Sequence, residues 1–138
     1  MERDATRMGQ LLVGLPDITV LGIVDEHGGP LAVHVESVGL ARECLGCGGG
    51  GWVRARADVE LVDLPCFGRP TRLVWRKVRL WCPNKICPML SWTIEDPRIA
   101  APRMLLTDRA GRWVTLQVGK HGRSVSDVAS ELDCDWLP

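Results

Sequence analysis

The sequence predicts an α+β protein: an N-terminal β-hairpin and a zinc ribbon, followed by a short helical module patterned like a truncated helix-turn-helix. Three observations predict it. Two cysteine pairs, Cys44-Leu45-Gly46-Cys47 and Cys82-Pro83-Asn84-Lys85-Ile86-Cys87, flank 34 residues that read as strand, turn and strand. Ahead of them, two β-branched runs surround a dense cluster of turn formers. From Leu105 onward the hydrophobic period changes to that of a helix. The chain divides accordingly into a hairpin lead-in over 1–43, a zinc ribbon over 44–92, a linker over 93–104 and a helical module over 105–138.

The lead-in begins with Met1 to Gly14, a short helix or frayed end with Met8, Leu11 and Leu12 as a weak apolar stripe. Ile18 to Val24 and Leu31 to Val38 are rich in β-branched residues. Asp25-Glu26-His27-Gly28-Gly29-Pro30 separates them, and its two glycines can take positive φ at little cost, which signals a hairpin. Val33 and Val35 alternate with His34 and Glu36, so the second strand should keep one wet face.

Four glycines, Gly48 to Gly51, follow the first cysteine pair. A backbone that wraps a metal-bound sulfur must turn sharply and aim its N–H groups at the thiolates, and glycine permits such turns. A redox Cys-x-x-Cys pair opens a helix whose N-terminus lowers the thiol pKa; four glycines argue against a helix here. Trp52 to Leu64 reads as a strand bent around Asp58. Pro65-Cys66-Phe67-Gly68-Arg69-Pro70 reads as a turn with a proline at either end. Thr71 to Trp81 is a long strand that ends at the second cysteine pair.

Zinc takes four ligands tetrahedrally, and sequence-close ligand pairs have two to four residues between them. Two residues separate Cys44 from Cys47 and four separate Cys82 from Cys87. These four are the candidate metal ligands, with structural zinc as the cofactor. Cys66 and Cys134 fall outside the pattern and read as small buried side chains. His34-Val35-Glu36 ahead of a Cys-x-x-Cys has a partial likeness to a zinc-deaminase signature. Glu43 stands where that signature needs proline, and the reading would leave Cys82 and Cys87 without a role. No nucleophile stands beside a base, so no catalytic residue is assigned.

Hydrophobic residues make up 46% of the chain and charged residues 25%, ordinary for a globular domain. The formal net charge is zero, but it is segregated. Residues 1–65 carry 5 Lys/Arg against 10 Asp/Glu, residues 66–123 carry 12 against 3, and residues 124–138 carry 0 against 4. The basic middle section faces a polyanion or forms a solvated surface. Arg69, Arg72, Arg76, Lys77 and Arg79, on or beside the long strand, are the candidate phosphate contacts. The apolar run Leu11 to Val24 is interrupted by Pro16 and Asp17, so neither a membrane span nor a signal peptide is expected. The expected location is the cytoplasm, where six cysteines point to metal before disulfides.

Thr93 to Pro102 reads as the linker. Leu106, Ala110, Trp113, Val114 and Val118 then fall near 3.6-residue spacing, with Gly119 as the stop. Ser124 caps a second helix with Asp127 three residues on. Val125, Val128, Ala129 and Leu132 form its apolar face. Ala129 suits a close helix crossing, and Asp133 stands at a turn position that calls for the left-handed region. A third, base-reading helix would begin around Asp135 or Trp136, and the sequence stops at Pro138.

Jointly, Cys44-x-x-Cys47-Gly48, Asp63-Leu64-Pro65-Cys66-Phe67-Gly68-Arg69-Pro70, Cys82-x4-Cys87 and Ser91-Trp92-Thr93 resemble the N-terminal region of ISL-three-type insertion-sequence transposases. Arg109-Ala110, Trp113, Val118-Gly119, Ser124-Val125 and Val128-Ala129 resemble that family's helix-turn-helix. The resemblance covers nearly the whole chain. It implies zinc binding and, as a further partner, an intact transposase; the family contacts the terminal inverted repeats of a DNA element, and without the base-reading helix the DNA contact expected here is weak or non-specific. The family's Asp-Asp-Glu catalytic domain has no counterpart here, so the expectation is a DNA-contacting fragment without enzymatic activity. The alternatives are a zinc ribbon serving protein contacts and a non-functional remnant.

Overall fold

The computed structural model describes residues 9–10 and 13–135. The expected stripe of Met8, Leu11 and Leu12 lies outside them, as does Trp136. The described chain is α+β: one five-stranded sheet and two short helices. The strands are β1 (Ile18–Asp25), β2 (Leu31–Ser37), β3 (Trp52–Cys66), β4 (Arg69–Trp81) and β5 (Ser91–Thr93). The helices are α1 (Asp108–Thr115) and α2 (Val125–Leu132).

β1 and β2 form the expected antiparallel hairpin, joined through Glu26 to Pro30. β3 and β4 form a second, much longer one. Its turn is tighter than the proline-bounded loop the sequence predicts. The strands run on through Cys66 and Arg69, leaving Phe67 and Gly68 as the two loop residues, at φ 52° and 78°. Positive φ at both central residues is what a two-residue turn needs to match the strand twist. The ladder runs in register through Asp58, and its irregularities fall at Val53–Ala55 and Asp63–Cys66.

The two hairpins are one sheet, in the order β1-β2-β4-β3, and the pairing of β2 with β4 is parallel. β4 is the strand everything else leans on. β2 pairs with its first half, from Thr71 to Arg76, and β5 with its last residues, from Arg79 to Trp81. Sheet pairing therefore crosses the boundary expected between lead-in and ribbon. The stretch expected as a linker supplies Ile99 and Ala100, both buried, to the main core.

The buried side chains of β4 change sides midway. Thr71, Leu73 and Trp75 are buried on one face, Val78 and Leu80 on the other. Leu73 and Trp75 join Ile18, Val20, Val33, Val35 and Leu61 in the main core. Val78 and Leu80 lie on the approach to the cysteines.

Two ionic networks tie loops to this sheet. Asp63, fully buried, accepts from Thr107 Oγ1 at 2.8 Å and from both Nε and Nη2 of Arg109, at 2.9 and 2.6 Å. Arg109 also donates to the Val13 carbonyl. Asp96, equally buried, is held by Arg98 and Ser37, and Arg98 reaches on to Asp17 at 2.8 Å. Although burial alone would raise the Asp96 pKa, the Arg98 and Ser37 hydrogen bonds bring it below the usual carboxylate value.

Thr107 caps α1 by accepting from the Ala110 N–H. α1 ends sooner than the sequence period suggests and passes into a π-helical turn over Leu116–Lys120. At the junction Thr115 Oγ1 donates back to the Gly111 carbonyl at 3.0 Å, a bond that competes with the helix ladder. Ser124 caps α2 by accepting from the Asp127 N–H at 3.0 Å. Val128, Ala129 and Leu132 are buried as expected, while Val125 is exposed. Asp133 closes the helix at φ 55°, ψ 51°, the left-handed conformation its position calls for. No helix of the described residues is long and apolar enough to cross a membrane.

Candidate metal centre

The β3–β4 hairpin brings the two ends of the ribbon stretch side by side, with Trp52 opposite Trp81 in the last register pair. One cysteine pair precedes Trp52 and the other follows Trp81, so strand pairing alone delivers four thiols to one place. The first loop is shaped by its glycines. The Cys44 N–H donates to the Gly49 carbonyl at 2.7 Å, and the Gly48 N–H, on a residue at φ 75°, donates to the Cys44 carbonyl at 2.7 Å. The Gly46 N–H points at Cys44 Sγ from 3.4 Å. A Cβ at Gly46 would stand only 3.0 Å from Cys87 Sγ, so a glycine between the paired cysteines lets the opposite thiol in. In the second loop the Cys87 N–H donates to the Asn84 carbonyl at 3.1 Å, and the Ile86 N–H to the Asn84 side chain at 3.2 Å.

The Sγ atoms of Cys44, Cys47, Cys82 and Cys87 all lie within 4.8 Å of one another. Cys44 and Cys87 are 3.6 Å apart, as are Cys47 and Cys82. A disulfide would need about 2.05 Å. Four sulfurs at about 2.3 Å from a tetrahedral centre stand about 3.8 Å apart. The cluster thus has the donor set and spacing to hold a metal ion, and no other such group occurs among the described residues. Cys44, Cys82 and Cys87 are buried with Met89 and Trp92 packed against them, while Cys47 is exposed.

Crowding splits the thiols electrostatically. Cys47 falls to about 7, because the Gly49 backbone N–H and then the Cys82 thiol stabilise its thiolate. Cys82 has a favourable backbone hydrogen bond at Asn84, yet burial and the neighbouring sulfurs push it up to about 12. Cys87 likewise has a backbone hydrogen bond at Met89 and is raised by burial and by Cys44 and Cys47. Negative charge on one sulfur makes it harder to ionise the next. Thiols kept protonated avoid that repulsion, and a cation at the centre would relieve it by taking the place of the protons. Cys66 and Cys134 are half-buried and lie apart from the cluster.

The five cations singled out as phosphate contacts are not equivalent. Arg69 pairs with Asp25 at 2.6 Å and donates to the carbonyls of Glu26 and Gly29, pinning the first hairpin turn. Arg72 donates to the carbonyls of Leu132, at 2.9 Å, and Asp133, holding the C-terminus of α2 to the sheet. Arg76 faces Asp58 at 3.7 Å. Lys77 pairs with Glu95 at 2.6 Å and lies over the Trp75 ring, 4.5 Å from its centroid. Among the described residues Arg79 donates only to hydroxyls, Ser91 at 2.7 Å and Thr93 at 3.1 Å, and has no carboxylate partner.

Exposed cations with no carboxylate partner among the described residues do gather at the cysteine end: Arg42, Arg54, Arg56 and Lys85 besides Arg79. Sequence reasoning passed over these four. The alternation Arg54-Ala55-Arg56-Ala57 was the signal that could have found two of them, since small residues between arginines leave a strand nothing to bury. No family model, curated protein or solved structure matches this chain.

Proposed function

We propose that this chain is a zinc-ribbon DNA-contacting module, the end-binding part of an ISL-three-type transposase, with zinc held by Cys44, Cys47, Cys82 and Cys87. The observation that supports it most is the convergence of four sulfurs, in two pairs 3.6 Å apart, at the open end of a β-hairpin. All-sulfur donors in a tetrahedral arrangement favour zinc among common cytosolic metals. Four protein ligands leave no open position, so the metal would be structural rather than catalytic. In the family resembled, such a ribbon binds the element's terminal repeats. The unpaired cations at its cysteine end and the capped α1–α2 pair, read as the first two helices of a helix-turn-helix, fit that role.

Native mass spectrometry with and without chelator tests the centre. One zinc per chain should be lost on chelation and should not bind to Cys44→Ser or Cys87→Ser, while Cys66→Ser and Cys134→Ser retain it. An unchanged mass on chelation would remove the metal. Gel-shift titration tests the DNA reading: binding should be strongly weakened by salt, because phosphate contacts dominate.

A second reading has an observation of its own. Leu45 and Ile86, one on each cysteine loop, are 86% and 91% exposed, and Leu90 nearby is 78% exposed. Apolar side chains on both loop tips suit a protein partner. On that reading the gel-shift titration shows no DNA complex at low salt.

A further inference from the structure

We propose that the face of the β3–β4 hairpin bearing Trp52 and Arg79 binds single-stranded DNA, by stacking bases on Trp52 and meeting phosphates with Arg79 and Arg103. The proposal rests on the DNA reading above and specifies its surface and the form of the nucleic acid.

The register shows how the face is assembled. Opposite residues in a sheet share a face, so Ala55 and Ala57 lie beside Arg79 and Lys77, and Trp52 beside Trp81. An uninterrupted strand would put Trp52 and Ala55 on opposite faces, three residues apart. The ladder irregularity between Val53 and Ala55 inserts Arg54 as an extra residue and brings Trp52 round to the Arg79 face. Bulges re-aim side chains in this way. Its result here is costly in water: Trp52 is 59% exposed and Trp81 36% exposed. The two rings meet edge to face, with centroids 5.2 Å apart and planes at 89°, so the contact covers only one ring face.

Beside the tryptophans the face forms a groove of about 630 Å³, floored by Ala55 and Ala57 and walled by Ala101 to Met104. Its cations are Lys77, Arg79 and Arg103. Glu95 neutralises Lys77. Arg79 is fixed across the sheet by the Ser91 and Thr93 hydroxyls, which orient the guanidinium without cancelling its charge. Arg103 is exposed on the wall and has no carboxylate partner among the described residues.

An alanine floor, a fixed arginine and an exposed tryptophan together match the chemistry of an unpaired strand. Duplex bases are already stacked and are read by an element that enters a groove. An exposed ring cannot stack on bases already stacked on their neighbours, whereas splayed bases stack on exposed aromatic rings while a cationic groove tracks their phosphates.

The test is fluorescence anisotropy on the zinc-loaded full chain, with a labelled twelve-nucleotide oligothymidine and a labelled duplex of equal length. The single strand should bind more tightly than the duplex. Trp52→Ala should weaken it about tenfold or more, and Trp52→Phe should restore most of the loss. Ala57→Glu, at an exposed position, should also abolish single-strand binding, and it serves should Trp52→Ala lose its metal. Duplex binding as tight as single-strand binding, unaffected by either variant, overturns this proposal and leaves the DNA reading standing. Binding of neither probe overturns both.

Discussion

At the scale of single residues, the most exacting demand is the one made on Asp63. It is buried, carries a charge, and among the described residues satisfies it through Arg109 and Thr107 alone. Removing one partner of such a pair leaves the other uncompensated, which costs more than the pair contributes. Asp63→Ala should therefore lower unfolding free energy by about 3 kcal/mol, read from urea denaturation, with metal stoichiometry unchanged. The thiols set the second residue-scale expectation. A ligand must lose its proton to bind metal, and Cys82 at about 12 and Cys87, also raised, remain protonated throughout the neutral range. Each displaced proton contributes one decade per pH unit, so apparent zinc affinity should fall at least about a hundredfold per unit between pH 8 and 7. Below the Cys47 value of about 7 a third proton steepens the decline. Competition with a chromophoric chelator across that range measures the slope; a slope below one decade per unit would contradict the split thiol pattern.

Among the elements, the first cysteine loop is where sequence and packing agree most closely. Gly51 touches its surroundings so closely that an added Cβ would meet the Arg42 carbonyl at 2.8 Å and the Trp92 ring at 2.9 Å. Gly50, one residue earlier, has open space. Gly51→Ala should cost about 1–3 kcal/mol and weaken zinc retention, while Gly50→Ala should be close to neutral, both read by thermal unfolding with metal bound. The exposed edge of β3 shows a different economy. Leu105 to Thr107 cover its far half through hydrogen bonds at Val62, but Trp52 to Asp58 have no neighbour strand beyond them among the described residues. The irregularity at Arg54 and the exposed charges of Arg54 and Arg56 both work against pairing of this edge with a second copy. The same arginines that suit a polyanion thus discourage edge-to-edge association.

What could be read in advance follows the range of the interaction. Ser124 and Asp133 were legible because a cap and a left-handed turn residue act on their own backbone within a few residues. The hairpins and the four sulfurs were legible because turn formers and cysteine spacing are local patterns. The parallel pairing of β2 with β4 was not, since no short-range signal distinguishes which strands of two hairpins meet. The charges on β4 were legible as charges only. Whether Arg72 faces solvent or the end of α2 depends on residues sixty positions away. The bulge at Arg54 was hidden for a further reason. Alanine and arginine in alternation look regular whichever face each takes, so the sequence carries no sign that Trp52 changes sides.

For the molecule as a whole, the two buried clusters are separable in what holds them. The main core, centred on Val35, Leu73 and Trp75, is apolar and independent of the thiols. The smaller one is mostly sulfur, with Met89 and Trp92 packed against it. Hydrogen exchange should report this directly. Chelation should strip protection from the cysteine loops and β5, whereas β1, β2 and the Leu61–Trp75 end of the long hairpin stay protected. Uniform loss of protection along the chain would mean that the metal holds up the entire fold.

β4, whose buried side chains change sides between Trp75 and Val78, has a consequence for engineering. A strand with one inward face can be lengthened or shortened in pairs of residues and keep its pattern. Here the change of sides serves as a splice point. Upstream of Arg76 the strand buries Thr71, Leu73 and Trp75 on one face, and downstream of Lys77 it buries Val78 and Leu80 on the other. Cut there, with the partner strand cut opposite at Ala57 and Asp58, the cysteine end becomes a cassette. A ribbon from elsewhere could be grafted on without asking the main core to change a single side chain.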